Sequence, residues 1–339
     1  MSANSTGQIF KVTSFGESHG YGLGALIEGC PAGVTFESAL LVDNLNRRKP
    51  GQSSITTSRK EADEPIVVSG IFENKTLGTP ICILIKNADA KSSDYENIKS
   101  EPRIGHADDT WKEKFGHVDH RGGGRSSGRE TVSRVIGGSV AQMLVQQLNP
   151  GIALKGFAST IGPHQLSESE LENIWNVKID DYTTRFPAEN NKLVVEMLEK
   201  AKREGNSYGG IVELRLKNVP AGLGQPVFHK FKSDLAAAMM SIGATSGIEI
   251  GDGLNSVKMT GQDFHQSLSS KNYGGIRGGI TTGDEISLKI FFKPTSSIKD
   301  VAKSGRHDPC IVPRAIPVAE AMAWLVLADH ILWARIDKI

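Results

Sequence analysis

Arginines and serines surround a run of glycines in residues 121–130, which read RGGGRSSGRE. An apolar pattern with helical spacing follows, and Ser127 with Glu130 matches a capping box, so Ser127 is the predicted N-cap. The first turn of a helix offers free backbone N–H groups and the positive end of the helix dipole. Arg125 and Arg129 add guanidinium groups that suit phosphate or carboxylate. Helix capping alone does not account for the adjacent glycines, so we expect an anion site. The spacing of the glycines is neither that of a Walker A loop nor that of GxGxxG.

Two histidines lie in short segments that contain glycine. His19 belongs to GESHG at residues 16–20, and His106 belongs to RIGHADD at residues 103–109, where Asp108 can orient the imidazole. A lone histidine in such a turn more often has a surface or structural role, and a metal site would need more ligands at defined spacing. Because imidazole titrates near neutral pH, two histidines beside arginines also suit proton transfer.

Three further segments carry charges or hydroxyls. Residues 46–51, NRRKPG, follow a predicted helix, and such a basic run is usually a solvated helix C-terminus. Residues 293–297, KPTSS, follow a predicted strand and offer one cation and three hydroxyls. Residues 305–310, GRHDPC, precede the last predicted helix, and Asp308 with Arg306 there forms either a structural ion pair or part of a site. Together the segments indicate an enzyme that handles phosphate or carboxylate groups and moves protons.

The composition places this chemistry in a globular chain of balanced charge. The 339 residues include 39 basic and 38 acidic ones, so the net charge is +1 and a positive potential must be local. A hydrophobic share of 38% and a charged share of 23% are typical of a folded protein, not of a nucleic-acid coat or a disordered tail. The 37 glycines indicate backbone at positive φ, or backbone that another group approaches closely.

Several classes of protein do not fit the sequence. Cys30, Cys82 and Cys310 are too scattered for a disulfide framework or a zinc pair, so we expect reduced thiols. The first residues lack the pattern of a secretory signal, and the longest apolar stretch, Val318–Ala328, is shorter than the ~20 residues that span a bilayer. We therefore expect a cytoplasmic protein with neither a membrane segment nor a structural metal.

The elements that must position these residues alternate between strands and helices. Apolar alternation predicts strands over residues 23–28 and 211–216, and helical spacing predicts helices over Phe36–Arg47, Leu193–Arg203 and Ser233–Met240. This order indicates an α+β fold in layers. No linker divides the chain, so residues 1–339 are predicted to form one domain, with the polar segment 163–191 as a peripheral insert.

The two parts of the chain repeat several motifs in the same order. GESHG at residue 16 and GNSYG at residue 205 are each followed fifteen residues later by PAG, at residues 31 and 220. Each part continues with a Gly-Ile pair, an apolar strand, a Gly-Arg pair and a helix. Chance matching of glycine-rich segments is the alternative to an internal duplication. We predict pseudo-symmetric halves at about residues 8–148 and 197–335, related by a pseudo-two-fold axis; different strand orders in the two halves would refute this.

In these motifs the chain closely resembles the chorismate synthase family, nearly from end to end. The resemblance rests on GESHG, RxGHAD, RGGGRSSGRET, PAGLG, EIGDG, KPTSS and RHDPC. It implies a β–α–β sandwich that assembles as a homotetramer. It also implies the anti-1,4-elimination of phosphate from 5-enolpyruvylshikimate 3-phosphate to give chorismate, the last common step of the shikimate pathway to aromatic amino acids. That reaction uses reduced FMN without a net redox change, and an external reductant or reductase supplies the reduced flavin.

The resemblance also implies roles for individual residues. His19 would donate a proton to the leaving phosphate, His106 would stabilise the reduced flavin, and Asp308 would assist proton handling at the flavin. The residues implied for the substrate are Arg48, Arg103, Ser127, Arg129 and Arg306. Those implied for FMN are Arg125, Ser126, Ser127, Gly243, Ala244, Gly278, Lys293, Thr295, Ser296, Ser297 and Arg306. Positioning and electrostatics are expected to dominate catalysis of such a polyanion.

The sequence departs from the family pattern in three places. Ser54 stands where a second arginine is usual, so one substrate contact is either lost or replaced by Arg59 or Lys60. Ile104 stands where a proline is usual, which changes loop stiffness. The segment 298–304 is shorter than in relatives, so either the lid over the flavin is trimmed or part of the loop is absent from the sequence.

Two other functions remain open at this stage. A flavin reductase or another FMN-dependent oxidoreductase would need a site for NADPH, and no GxGxxG follows a strand. A phosphosugar- or nucleic-acid-binding module would explain the arginines but not His19, His106 and Asp308 together. It would also need aromatic residues for stacking on bases. We therefore expect a small-molecule substrate and neither a nucleic-acid nor a membrane partner.

Overall fold

Two five-stranded antiparallel sheets dominate the computed structural model, which describes residues 3–51, 55, 63–87, 104–119, 121–296, 298 and 308–338. The first sheet has the spatial order β1 (Ser5–Thr6), β2 (Lys11–Gly16), β3 (Gly22–Glu28), β8 (Ile81–Lys86) and β5 (Pro65–Ser69). The second has the order β10 (His164–Gln165), β9 (Ala153–Ile161), β11 (Gly210–Lys217), β15 (Ile286–Phe292) and β12 (Thr245–Ile250). Each half also has a small sheet, with β4 (Ala32–Thr35), β7 (Lys75–Leu77) and β6 (Ile71–Phe72) in one, and β13 (Ile276–Arg277) and β14 (Ile280–Thr281) in the other.

The helices lie between and around these sheets. They are α1 (Ser38–Arg48), α2 (Asp108–Phe115), α3 (Thr131–Leu148), α4 (Glu168–Glu172), α5 (Asn191–Glu204), α6 (Phe231–Met240), α7 (Gly261–Phe264) and α8 (Val312–Ala334). The predicted helices and strands agree with α1, α5, α6, β3 and β11 within two residues at each end. The α+β class is confirmed.

Helices α3 and α8 form the middle of the sandwich. Helix α3 packs on β2 and β3 of the first sheet, and α8 packs on β9 and β11 of the second. The two helices also pack on each other so closely that a Cβ atom added to Gly138 would lie 2.4 Å from the Cβ of Ala321. The layers are therefore sheet, helices and sheet, as the β–α–β sandwich predicts.

The two sheets have the same connectivity. In each of them the first, second, fourth and third long strands along the chain lie side by side, as β2-β3-β8-β5 and β9-β11-β15-β12. The strand order supports an internal duplication. However, the second copy starts with β9 at Ala153, before the predicted boundary at residue 197, because the segment between β9 and β11 is inserted within it.

One side-chain contact is repeated in both halves. Thr76 Oγ1 donates to the carbonyl of Pro31 at 2.6 Å and accepts from the backbone N–H of Val34 at 2.9 Å. Thr281 Oγ1 bonds Pro220 at 2.6 Å and Leu223 at 2.9 Å in the same manner. Each PAG motif is thus fastened to a strand of the small sheet by a buried threonine.

The polar segment 163–191 is not peripheral. Its apolar side chains Leu166, Ile174, Ile179 and Phe186 are buried and belong to the hydrophobic core. The prediction of a peripheral insert is therefore wrong in this respect, because a few apolar residues spaced without a regular period are enough to fasten an otherwise polar segment.

Helix α8 is long and apolar enough to cross a membrane by length and composition, but its apolar stretch is buried inside the protein. It extends beyond the predicted apolar run 318–328 in both directions. Its Asp329 accepts hydrogen bonds from the backbone N–H groups of Gln8, Ile9 and Phe10 at 2.9, 2.6 and 2.9 Å. The helix is thus the central core element, and it also holds the segment that precedes β2.

The three cysteines are free, and Cys30 and Cys310 are buried. Burial raises the pKa of Cys30 to about 11 and that of Cys310 to about 12. Both thiols therefore stay protonated at neutral pH and do not act as nucleophiles.

Candidate active site

His19 lies in a tight turn, residues 16–20, that joins β2 to β3. Gly16 begins the turn with φ +87°, and a Cβ atom there would lie 2.1 Å from a backbone oxygen, so only glycine fits. The side-chain amide of Asn87 donates to two carbonyls of the turn, at 3.0 and 2.9 Å. Ser18 Oγ lies 3.1 Å from Nδ1 of His19. The half-buried imidazole is therefore carried by a turn that is fixed at several points.

Arg125 supports the same turn from the glycine-rich segment. Its guanidinium donates to the carbonyl of Gly16 at 3.0 Å and to Ser14 Oγ at 2.7 Å. The sequence predicts a flavin contact for this side chain. The structure shows it bound to β2, where it positions the backbone next to His19.

A buried carboxylate joins two of the predicted substrate arginines. Asp63 is 5% exposed and Arg48 is 1% exposed, and Arg48 Nη2 lies 2.7 Å from Asp63 Oδ2. Arg129 contacts the other oxygen of Asp63, and its Nε donates to Asn87 Oδ1 at 3.3 Å. This cluster of two cations and one anion is thus tied, through Asn87, to the turn that carries His19.

The charge of this cluster is set by the two guanidinium groups. Burial alone would raise the pKa of Asp63, but the charges and hydrogen bonds of Arg48 and Arg129 outweigh it and hold that pKa below its usual value. Asp63 therefore stays ionised at neutral pH, and the three residues keep one net positive charge in a buried position. Such a charge attracts an anionic ligand.

Asp308 lies on the other side of Arg48. Its carboxylate contacts Nη1 of Arg314, whose Nε donates to the carbonyl of Arg48 at 3.3 Å. The backbone carbonyl of Asp308 accepts a hydrogen bond from Thr295 Oγ1 at 3.0 Å. Asp308 is buried and joins the arginine cluster to the KPTSS segment.

The KPTSS segment forms a corner with the loop after α6. The backbone N–H of Lys293 donates to the carbonyl of Ala244 at 3.0 Å, and Ala244 itself has φ +71°. Nothing lies within 4 Å of the Cβ position of Gly243, so the backbone there faces open space. Within the part of the chain that the structure describes, the exposed Lys293 forms no ion pair. The corner combines a free cation, hydroxyls and accessible backbone.

His106 adjoins this corner, and its imidazole is oriented as predicted. Its Nδ1 lies 2.7 Å from Asp108 Oδ1, and both side chains are largely buried. A Cβ atom added to Gly105 would lie 3.4 Å from the Cβ of Ser296. The histidine segment and the KPTSS segment are therefore in contact, although they are far apart in sequence.

The start of α3 differs from the predicted capping box. Ser127 caps a short 3-10 turn, Gly128–Glu130, by accepting from the N–H of Arg129 at 3.4 Å, and α3 begins only at Thr131. Glu130 pairs with Arg134 at 2.9 Å instead of returning to Ser127. The capping box is therefore wrong, because the extra turn moves Glu130 away from the cap. Ser126 Oγ donates to a carbonyl three residues earlier, at 2.7 Å.

Arg134 connects the glycine-rich segment to the corner. Its two terminal nitrogens donate to Ser241 Oγ at 2.6 Å and to the Ser241 carbonyl at 2.8 Å. Ser241 precedes Gly243 and Ala244, so the predicted flavin residues before α3 and those after α6 lie on neighbouring elements.

Some predicted residues are not part of this arrangement. Gly278 lies in the turn between β13 and β14, and nothing lies within 4 Å of its Cβ position. No hydrogen bond between described residues joins it to the corner at Ala244 and Lys293, so its part in the flavin site stays a prediction. Arg103, Ser297 and Arg306 lie outside the described residues, as do Ser54, Arg59, Lys60 and most of the segment 298–304.

Three site residues have no sequence signal that singles them out: Asp63, Asn87 and Arg314. Asp63 stands in the acidic run EADE, and Arg314 begins the last helix beside many apolar residues. Their roles follow only from contacts between distant segments. Among the described residues no group of three or more His, Cys, Asp or Glu side chains forms a metal site.

The α+β sandwich links an arginine cluster to the turn that carries His19 and to the buried Asp308, and it places the His106 segment beside the KPTSS segment. Such an arrangement suits an enzyme that binds a polyanion and transfers protons. Comparison with known proteins specifies the class further. The family model described as Chorismate synthase matches residues 10–332. The chain therefore belongs to the chorismate synthase family, whose members are carbon–oxygen lyases that act on phosphates.

Individual relatives agree with this family. The "Chorismate synthase" of Bdellovibrio bacteriovorus is 55% identical, with all of both chains covered. That of Methanosarcina mazei is 44% identical, with 98% of this chain and 97% of the relative covered. A solved structure, "Crystal Structure of Chorismate Synthase", is 30% identical with a TM-score of 0.79, and covers 97% of this chain and 93% of its own. None of these comparisons supports a flavin reductase.

Proposed function

We propose that the protein converts 5-enolpyruvylshikimate 3-phosphate to chorismate and phosphate by anti-1,4-elimination, with reduced FMN as cofactor. The observation that carries this proposal is the buried Arg48–Asp63–Arg129 cluster, which is linked to the His19 turn on one side and to Asp308 on the other. This linked arrangement brings residues suited to anion binding and residues suited to proton transfer into one site.

The arginine cluster suits the substrate by charge. The substrate carries one phosphate and two carboxylates, and Arg48 and Arg129 hold their guanidinium groups in fixed places through Asp63. Fixed charges need no reorganisation during the reaction, which makes such positioning effective in catalysis. On the resemblance, Arg103, Arg306 and Ser127 complete the substrate site.

His19 is the proposed proton donor to the leaving phosphate. Its turn is fastened by Asn87, and Asn87 in turn accepts from Arg129, so a phosphate held by Arg129 lies on the same network as the imidazole. Because imidazole titrates near neutral pH, a histidine suits the donation of a proton to a leaving group.

The corner formed by Gly243, Ala244 and Lys293 fits a phosphate-bearing flavin. The exposed Lys293 supplies a cation, Ser296 and Ser127 supply hydroxyls, and Gly243 leaves space for close approach to the backbone. When bound, reduced FMN supplies transient electron density to the substrate and a basic nitrogen for the proton lost from carbon. His106, held by Asp108, would stabilise the negative charge of a bound reduced flavin, and Asp308 would assist proton movement there.

On the resemblance, the FMN site in this proposal consists of Arg125, Ser126, Ser127, Gly243, Ala244, Gly278, Lys293, Thr295, Ser296, Ser297 and Arg306. Arg125 contributes indirectly, through the backbone that it supports. We further propose a cytoplasmic homotetramer that receives reduced flavin from an external reductant or reductase, and that binds neither nucleic acid nor membrane.

An anaerobic assay tests the reaction. Purified protein, 5-enolpyruvylshikimate 3-phosphate and dithionite-reduced FMN should give chorismate and equimolar phosphate, whereas oxidised FMN should give none. Absence of chorismate with reduced FMN would overturn the proposal. Consumption of NADPH by the protein with FMN alone would favour the reductase instead.

Replacing His19 tests its role. His19→Ala should lower kcat by roughly 10- to 1,000-fold, within the range of general acid contributions, while FMN still binds. His106→Ala should instead weaken the binding of reduced FMN. His164→Ala is a matched control, because His164 lies in the edge strand β10 of the second sheet. Full turnover in both site variants would show that the roles are assigned wrongly.

A further inference from the structure

One side chain of the segment between β9 and β11, that of Arg185, contacts the ends of two helices that carry site residues. Arg185 is 7% exposed, and its guanidinium makes three contacts. Nε donates to Asp180 at 2.9 Å, Nη2 donates to the backbone carbonyl of Arg47 at 3.0 Å, and Nη1 donates to the backbone carbonyl of Pro313. Arg185 thus joins the end of α1 to the beginning of α8.

Both carbonyls lack a partner within their own helix. Pro317 lies inside α8 and has no N–H group, so the carbonyl four residues earlier, that of Pro313, cannot form the usual helical bond. Arg47 belongs to the last turn of α1, where carbonyls have no intrahelical donor. Arg185 supplies donors to both, which satisfies two buried acceptors with one rigid group.

The neighbouring residues on the two helices are site residues. Arg48 follows Arg47, and Arg314 follows Pro313. Arg314 in turn contacts both the carbonyl of Arg48 and the carboxylate of Asp308. A shift of either helix end would therefore change the distance between the anion-binding Arg48 and Asp308.

We propose that Arg185 is a positioning residue of the active site: by joining the carbonyls of Arg47 and Pro313 it sets the placement of Arg48 relative to Asp308. This inference rests on the proposed function, which gives Arg48 and Asp308 their roles. It also assigns a purpose to the segment 163–191, whose buried residues hold Arg185 in place.

A cavity beside Arg185 makes chemical rescue feasible. It has a volume of about 630 Å³ and is lined by Arg185, Arg47, Asp180, Pro313 and Arg314, among others. A small planar cation such as guanidinium can enter a space of this size and donate to the same two carbonyls. Rescue by guanidinium separates loss of the contact from general loss of stability.

The test compares Arg185→Ala and Arg185→Lys with Arg215→Ala. Arg215 is a matched control, because it also bonds this segment, at the Leu171 carbonyl, whereas its other polar contacts go to Glu213 and Glu285 and not to α1 or α8. We expect Arg185→Ala to lower kcat/KM by roughly 10- to 100-fold, in line with the cost of small misplacements of reacting groups. Millimolar guanidinium should restore at least part of that loss in Arg185→Ala and change nothing in Arg215→Ala. Arg185→Lys should show a smaller loss than Arg185→Ala, because the ammonium group can still donate to one of the two carbonyls, but it should not reach wild-type activity, because it lacks the planar fork.

Amide hydrogen exchange gives a second readout that is independent of activity. In the folded Arg185 variants, exchange should quicken at the end of α1 and in the first turns of α8, but not in α5. Wild-type turnover with unchanged kinetics in both Arg185 variants would overturn the inference and leave the proposed function intact. An inactive wild-type protein would overturn the proposed function, while the exchange pattern would still decide whether Arg185 fixes the two helices. If Arg185→Ala does not fold, the kcat/KM and the amide hydrogen exchange of Arg185→Lys test the proposal instead.

Discussion

The candidate anion site contains a buried carboxylate, that of Asp63. Without it, the guanidinium groups of Arg48 and Arg129 would repel each other in a region with little water. With it, both groups are oriented and one net positive charge remains for the ligand. The carboxylate therefore lowers the positive potential of the site but fixes the orientation of both guanidinium groups.

Removing this charge should be costly for stability. Asp63→Asn leaves two buried guanidinium groups with a neutral partner, and we expect it to lower the free energy of unfolding by about 3–5 kcal/mol at pH 7. Asp43→Asn, at an exposed position of α1, should change it by less than about 0.5 kcal/mol. Urea unfolding followed by circular dichroism measures both; equal stability of the two variants would contradict the role of Asp63.

The pH dependence of this difference has a defined sign. The pKa of Asp63 is lower in the folded than in the unfolded chain, so the unfolded chain binds the proton first as pH falls. The stabilisation is therefore fully present above the usual pKa of an aspartate, about 3.9, and is lost as pH falls towards the folded-state pKa. The stability gap between wild type and Asp63→Asn should narrow on that acid side only.

Residues within motifs, and a partner in the same motif such as Asp108 beside His106, could be predicted from the sequence, whereas partners from distant segments could not. Five residues of the candidate site stand in recognisable motifs: His19, His106, Arg48, Arg129 and Asp308. Asp63 and Arg314 stand in no pattern, because their roles depend on contacts between segments distant along the chain. The assignment of Gly278 to the flavin stays a prediction, because it rests on the family resemblance and no hydrogen bond between described residues joins it to the corner at Lys293.

At the scale of elements, the PAG segments of the two halves are held by equivalent threonines. Thr76 and Thr281 are both buried, and each bonds one backbone carbonyl and one backbone N–H. The repeat of such a specific contact, together with the shared strand order, is difficult to attribute to chance matching of glycines.

The two contacts should have similar energies. Thr76→Val and Thr281→Val each leave two buried backbone groups without a partner, and each should lower the free energy of unfolding by about 1–3 kcal/mol. Thr76→Ser and Thr281→Ser keep the hydroxyl and should lose less. Denaturant unfolding of the four variants checks this. A large effect in only one half would argue against equivalent roles.

Periodicity predicted the elements better than their ends. Helical spacing located α1, α5 and α6 within two residues, because each has a regular apolar face. The capping-box spacing of Ser127 and Glu130 does not predict the start of α3, because a 3-10 turn lies between the cap and the helix. The local sequence does not show that turn. In the structure, Arg134 in the first turn of α3 is bonded to Ser241, a residue 107 positions away.

At the scale of the whole molecule, the two halves meet where α3 crosses α8. Gly138 allows this approach, since a Cβ atom there would overlap the backbone and the side chain of Ala321. Motif spacing predicted the halves, but not their boundary, because β9 carries none of the repeated motifs. Nor does the composition of residues 163–191 reveal their part in the core.

The contact between the halves can be tested with a single methyl group. Gly138→Ala should force α3 and α8 apart and lower the free energy of unfolding by about 1–3 kcal/mol, as overpacked cores do. Gly151→Ala is the matched control, because nothing lies within 4 Å of its Cβ position. Differential scanning calorimetry should show a lower Tm for the first variant only, and an unchanged Tm would mean that the helices have room to spare.

The central position of α8 also determines when the protein can fold. The ribosome makes α8 after both sheets, so the second sheet emerges before the helix that packs on β9 and β11, whereas the first sheet is soon followed by α3. Asp329 then has to find backbone groups about 320 residues earlier in the chain, and closing so long a loop is slow. The sandwich therefore closes only after α8 has been made, and until then the apolar face of the second sheet lacks the helix that covers it.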